Sequence, residues 1–122
     1  MQMTNSTLPT ANEVWGFYGT SGAFADADAA WAIAFPAVLA ATEGTAEGVR
    51  DFLDSRHGRH FADDVQNGIH AGLDLTVAIE AAITRWMGWT INRETAREIA
   101  MPKGLPYLKG FVLHFGLKAQ AA

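Results

Sequence analysis

The stretch Val49-Arg50-Asp51-Phe52-Leu53-Asp54-Ser55-Arg56-His57-Gly58-Arg59-His60-Phe61-Ala62-Asp63-Asp64-Val65 carries two apolar periodicities separated by one glycine, and it reads as a corner between two helices. On its N-terminal side Val49, Phe52 and Leu53 share a helical face, while Arg50 and Asp54, one turn apart, are set to pair on the outside. Gly58 is placed as the left-handed residue that stops this helix. On the C-terminal side a helix starting near Arg59 or His60 turns Phe61, Val65 and Ile69 inward. The corner holds three of the nine basic residues, two of the four histidines and four of the thirteen acids, so the polar chemistry is concentrated here.

Outward towards the C-terminus, Gly68 and Gly72 fall on nearly one side of the third helix. Each costs about 1 kcal/mol of helix propensity relative to alanine, which implies close approach of another backbone. Asp74 caps a fourth helix in which Leu75, Ala78, Ile79, Ala82, Ile83, Trp86 and Met87 form an unbroken stripe, and the core is centred on it. Gly88 closes that helix. A short polar helix from Asn92 to Ile99 and a turn-rich crossing from Met101 to Pro106 follow. Tyr107 to Leu117 carries two periods at once: Leu108, Phe111 and Phe115 keep helical spacing, whereas Phe111, Leu113, Phe115 and Leu117 alternate. Helix or irregular packing is favoured, with a minor strand pairing to Val14–Tyr18 as the alternative.

Outward towards the N-terminus, Thr45 is the N-cap of the helix that carries Val49. Before it, a helix from about Asp26 to Thr42 aligns Trp31, Phe35, Val38 and Leu39, with a kink expected at Pro36 and an end at Glu43-Gly44. Val14 to Thr20, with Trp15, Phe17 and Tyr18, suits a short strand or an extended segment laid over the core. Residues 1–12 read as a flexible tail and residues 13–122 as one compact, mainly α domain of four to five helices.

At 122 residues the chain buries roughly two thirds of its unfolded surface without a covalent staple. The absence of cysteine excludes a disulfide framework, thiolate catalysis and cysteine-ligated zinc. Met1–Asn12 has neither the basic nor the apolar part of a leader, and the apolar run Ala29–Ala41 is well short of the roughly 20 residues that span a bilayer. Cytoplasm is the expected compartment, with no membrane partner. A formal charge of −4 disfavours direct nucleic-acid binding.

Asp51, Asp54, Arg56, His57, Arg59, His60, Asp63 and Asp64 form the candidate cluster. His57 and His60 with Asp63 or Asp64 offer nitrogen and oxygen donors, but Arg56 and Arg59 repel a cation, so neither a metal nor another cofactor is expected. Ser55 as a nucleophile beside His57 or His60 lacks the strained elbow such a serine needs. Arg56, His57, Arg59 and His60 suit a small anion at a helix start. The favoured reading is structural: Arg and His near the end of one helix and Asp63 and Asp64 in the first turn of the next compensate both dipoles, with Arg56 or Arg59 tethering Asp51, Asp54 or a carboxylate from a distant segment. Tyr18, Trp89 and Tyr107 are the aromatics least suited to burial and the candidate interface anchors.

Trp15-Gly16-Phe17-Tyr18-Gly19-Thr20, the Val49–Val65 block, Arg85-Trp86-Met87-Gly88-Trp89 and Pro102-Lys103-Gly104-Leu105-Pro106-Tyr107-Leu108-Lys109-Gly110-Phe111-Val112 resemble a family of small proteins carried by conjugative plasmids and integrative elements of proteobacteria. The likeness runs from about Val14 to Val112 and transfers no catalytic residue. It implies a mobile-element context, in which accessory proteins disarm host defences or regulate element genes. The expected function is therefore non-catalytic binding of a host defence complex, of the anti-CRISPR or antirestriction kind. The alternatives are a DNA-binding regulator of the element and a small-ligand or hydrolytic enzyme using the Arg56–His60 corner.

Overall fold

The computed structural model describes residues 27–121, which form six helices: α1 (Ala27–Thr42), α2 (Ala46–Asp54), α3 (Arg56–His70), α4 (Leu75–Gly88), α5 (Arg93–Ile99) and α6 (Tyr107–Ala121). The helix beyond the four to five expected is α6. Its helical register puts Leu108, Phe111, Val112 and Gly116 on one buried face, which the alternating register would have split. The strand alternative for this segment is thereby overturned; Val14–Tyr18, its expected partner, lies outside the described residues. Among those residues no strand forms, and one isolated antiparallel bridge joins Thr90 to Pro106.

The corner itself is built differently from its reading. Ser55, not Gly58, divides the two helices, and its extended backbone (φ −88°, ψ 173°) serves as C-cap of α2 and N-cap of α3 at once. Its hydroxyl accepts from the Gly58 amide at 3.2 Å and donates to the Phe52 carbonyl. Gly58 sits within the first turn of α3 and is buried there, because a β-carbon would lie 2.4 Å from the Phe52 carbonyl oxygen. Moving the boundary back reverses the electrostatics. Arg56 and Arg59 open α3 and no acid stands in its first turn, while Asp63 and Asp64 fall well inside the helix. The expected dipole compensation is therefore absent, and the basic residues face the positive end of α3.

Other local expectations divide along the same line of cap against glycine. Thr45 accepts from the Gly48 amide at 3.0 Å, as an N-cap should. Asp74 occupies the N-cap of α4 but makes no side-chain cap bond. Gly68 faces Ala78 across the α3–α4 contact, whereas Gly72, at φ +101°, belongs to the turn after α3, where an added β-carbon would meet open space. α1 runs on through Pro36 and ends at Glu43, which takes the left-handed conformation (φ 56°) before Gly44.

The core is one cluster to which every helix contributes, with Trp31, Phe52, Phe61 and Phe111 its largest fully buried side chains. Phe52 of α2 is the hub: its ring centroid lies 6.1 Å from Phe61, 6.0 Å from Trp86 and 6.4 Å from Phe111. α2 can press so closely on α6 because a glycine on each helix, Gly48 and Gly116, stands at the closest approach. A β-carbon on Gly48 would come 2.5 Å from the Val112 carbonyl oxygen and 3.1 Å from the Gly116 α-carbon. Among the described residues no helix is long and apolar enough to cross a membrane.

Candidate functional site

The segment between α4 and α6 positions the site. It folds back on itself through Ile91, whose amide donates to the Leu105 carbonyl and whose carbonyl accepts from Gly104, each at 2.8 Å. Ile91 is buried against Gly110, where a β-carbon would clash with its side chain at 2.9 Å. The Tyr107 amide then donates to the Trp89 carbonyl at 2.7 Å. Two aromatics far apart in sequence are thus held side by side, their ring centroids 6.0 Å apart and nearly perpendicular. Trp86 completes the group at 5.9 Å from Trp89 and 5.3 Å from Tyr107. Trp86 is buried and Tyr107 partly so, but Trp89 remains 47% exposed.

Opposite this aromatic wall stands α3. His57, His60, Asp63 and Asp64 line, with Trp86, Trp89 and Tyr107, an open cleft of about 350 Å³. Six residues singled out in the sequence therefore converge. Asp64 is the best-fixed of them: its carboxylate accepts the indole N–H of Trp86, and Arg85 approaches the same oxygen at 3.7 Å. Asp63 lies 3.9 Å from His60 across the outer edge. His57 is packed inward, its ring 4.2 Å from that of Phe111. Burial, reinforced by neighbouring Arg56, holds its pKa below the ordinary 6.5, so it is neutral at neutral pH. Burial also raises the Tyr107 phenol, with Glu98 adding to the effect.

Asp51 and Asp54 do not join them. They line a separate hollow of about 380 Å³ with Phe115 and Lys118, sharing no residue with the first. The expected tether from Arg56 to these acids does not form; within α2, Arg50 reaches its neighbour Asp51 at 2.9 Å, and not Asp54. Asp54 instead has a buried oxygen without a hydrogen-bond partner, and burial, then Asp51, pushes its pKa up. Arg56 and Arg59 are exposed on the opening turn of α3. Tyr18 lies outside the described residues.

The Ser55 hydroxyl is committed to both helix ends, which removes it as a nucleophile for His57 or His60. Among the described residues no group of three or more His, Asp or Glu side chains is arranged to hold a metal ion. What the cleft does offer is an aromatic surface beside the anchored carboxylate of Asp64. The apolar stripe of α4 marks Trp86 as core; its second role as donor to Asp64 has no local sequence signal, since it depends on the packing of α3 against α4. No protein-family model, curated protein or solved structure matches the chain.

Proposed function

We propose that the protein is a non-catalytic binding protein that engages a partner protein through the Trp89–Asp64 cleft, serving a mobile genetic element by inhibiting a host defence complex. The observation that carries the binding role is the exposed Trp89, held in place by backbone bonds beside the ordered carboxylate of Asp64. A half-exposed tryptophan on a rigid support is the kind of residue on which interface energy concentrates. The mobile-element context rests on the sequence resemblance. A defence complex that handles nucleic acid presents basic grooves, and an acidic protein of net charge −4 has an electrostatic reason to enter one.

The regulator reading gains one observation, the exposed Arg56, Arg59, His60, Asn67 and His70 on α3. Against it, α2 and α3 are joined by the single residue Ser55, where a helix-turn-helix has a turn of three or four. Co-expression with candidate defence systems, affinity capture and phage or plasmid challenge separate the two. Capture of a defence component together with lost protection by the host is expected. Sequence-specific promoter binding at physiological salt, with no component captured, would replace this reading by the regulator.

A further inference from the structure

We infer that the cleft is an arginine pocket: it takes the guanidinium of an arginine side chain presented by the partner protein, stacked on Trp89 and hydrogen-bonded by the Asp63 and Asp64 carboxylates. The inference rests on the cleft being the partner site and names the chemistry that site recognises.

Three features converge on this ligand. The aromatic wall supplies the negative face of an indole, which attracts a cation, and a planar guanidinium stacks on it better than an ammonium does. Trp86 and Arg85 both approach Asp64 through Oδ2, so Oδ1 is left to accept from an incoming fork. Arg85 is also a guide to the chemistry, since the chain already brings one guanidinium to this carboxylate. Its 3.7 Å separation exceeds the roughly 2.7–2.9 Å of a charge-assisted hydrogen bond, so that contact does not exhaust the acceptor. Finally, the cleft of about 350 Å³ lies near the lower end of ligand sites, fitting one side chain. A phosphate is disfavoured by the two carboxylates. A bare divalent cation is disfavoured because the described residues offer no ligand set for it.

The test is a titration of the full chain with N-acetyl-arginine methylamide, followed by the indole N–H signals in nitrogen–proton correlation spectra, with N-acetyl-lysine methylamide in parallel. The Trp86 and Trp89 signals should move together while that of the buried Trp31 stays, with a dissociation constant on the order of millimolar for so small a probe. Arginine should bind more tightly than lysine. Asp64→Asn keeps an acceptor for Trp86, and Trp89→Leu alters an exposed side chain, so both should remain folded by circular dichroism. Each should weaken binding about fivefold or more. No movement, equal affinity for lysine, or binding unaffected by either substitution overturns the arginine pocket. A partner captured equally well by wild type, Asp64→Asn and Trp89→Leu also overturns it while leaving the binding-protein reading intact. Arginine binding with no partner captured upholds the pocket and removes support from that reading alone.

Discussion

Trp86 donates its indole N–H to the Asp64 carboxylate across 22 residues of sequence, so one bond ties the packing of α3 on α4 to the shape of the cleft. Hydrogen bonds to charged groups contribute about 1.5–3 kcal/mol, and a buried donor left alone loses its solvation as well. Asp64→Ala is expected to lower stability by about that amount, and Asp64→Asn, which still offers an oxygen, by less. Urea unfolding of both variants checks this. Equal losses would mean that the carboxylate position, and not the bond, is what matters.

The glycine crossing of α2 and α6 predicts opposite outcomes for one chemical change. Gly48→Ala drives a β-carbon into the Val112 carbonyl, a backbone atom that cannot rotate away, and should destabilise by at least about 2 kcal/mol. Gly88→Ala, at the end of α4 with open space around it, should be neutral or stabilise by up to about 1 kcal/mol. Thermal melts of the pair decide it.

Acid should loosen the fold before it protonates the carboxylates. Burial lowers the pKa of both His57 and His114 from the ordinary 6.5; Arg56 adds to the effect at His57, while at His114 a hydrogen bond to the Ile99 backbone opposes it in part and Lys118 adds to it. The unfolded chain therefore takes up protons first as pH falls through 6.5, so stability is fullest above that value and declines below it towards the folded pKa values. Asp54, whose pKa is raised, acts oppositely but at lower pH, losing stability as pH rises from 3.8. The melting temperature should fall between about pH 7.5 and about pH 5.5, and His57→Gln should flatten that slope. An unchanged slope in the variant would assign the effect elsewhere.

Arg56 is exposed in the first turn of α3, at the positive end of the helix, and beside the inward-packed His57. Arg56→Ala should leave stability within about 0.5 kcal/mol, on the stabilising side. A clear loss in chemical denaturation would restore the tethering role that the sequence alone suggests.

The uneven legibility of the chain has physical causes. α4 is plain because seven apolar residues repeat on one face, and Thr45 is plain because a side-chain cap is a local bond. The α2–α3 boundary is not plain, since a glycine amid charged residues signals a left-handed stop as readily as it signals a close backbone approach. Only the positions of the Phe52 and Leu53 carbonyls distinguish them. α6 is obscured because Gly110 and Gly116, both buried, interrupt its apolar stripe with positions that have no side chain to count. In the site, His57, His60, Asp63, Asp64, Trp89 and Tyr107 each stand out for their chemistry. Their meeting depends on the Tyr107–Trp89 backbone bond and the Ile91 fold-back, which no sequence period records. Asp51 and Asp54, closest to them in the chain, are turned away because α2 ends at Ser55.

The glycine crossing also constrains how the protein comes into being on the ribosome. α2 emerges before α6, and the two become the tightest pair only when synthesis of α6 is finished. Until then Val49 and Phe52, fully buried in the finished fold, have no α6 to cover them. Long-range closure of this kind carries a loop entropy that local helix formation does not repay. A nascent chain stalled before Tyr107 is accordingly the species that chaperones would hold, and the one whose exposed apolar surface would aggregate if they did not.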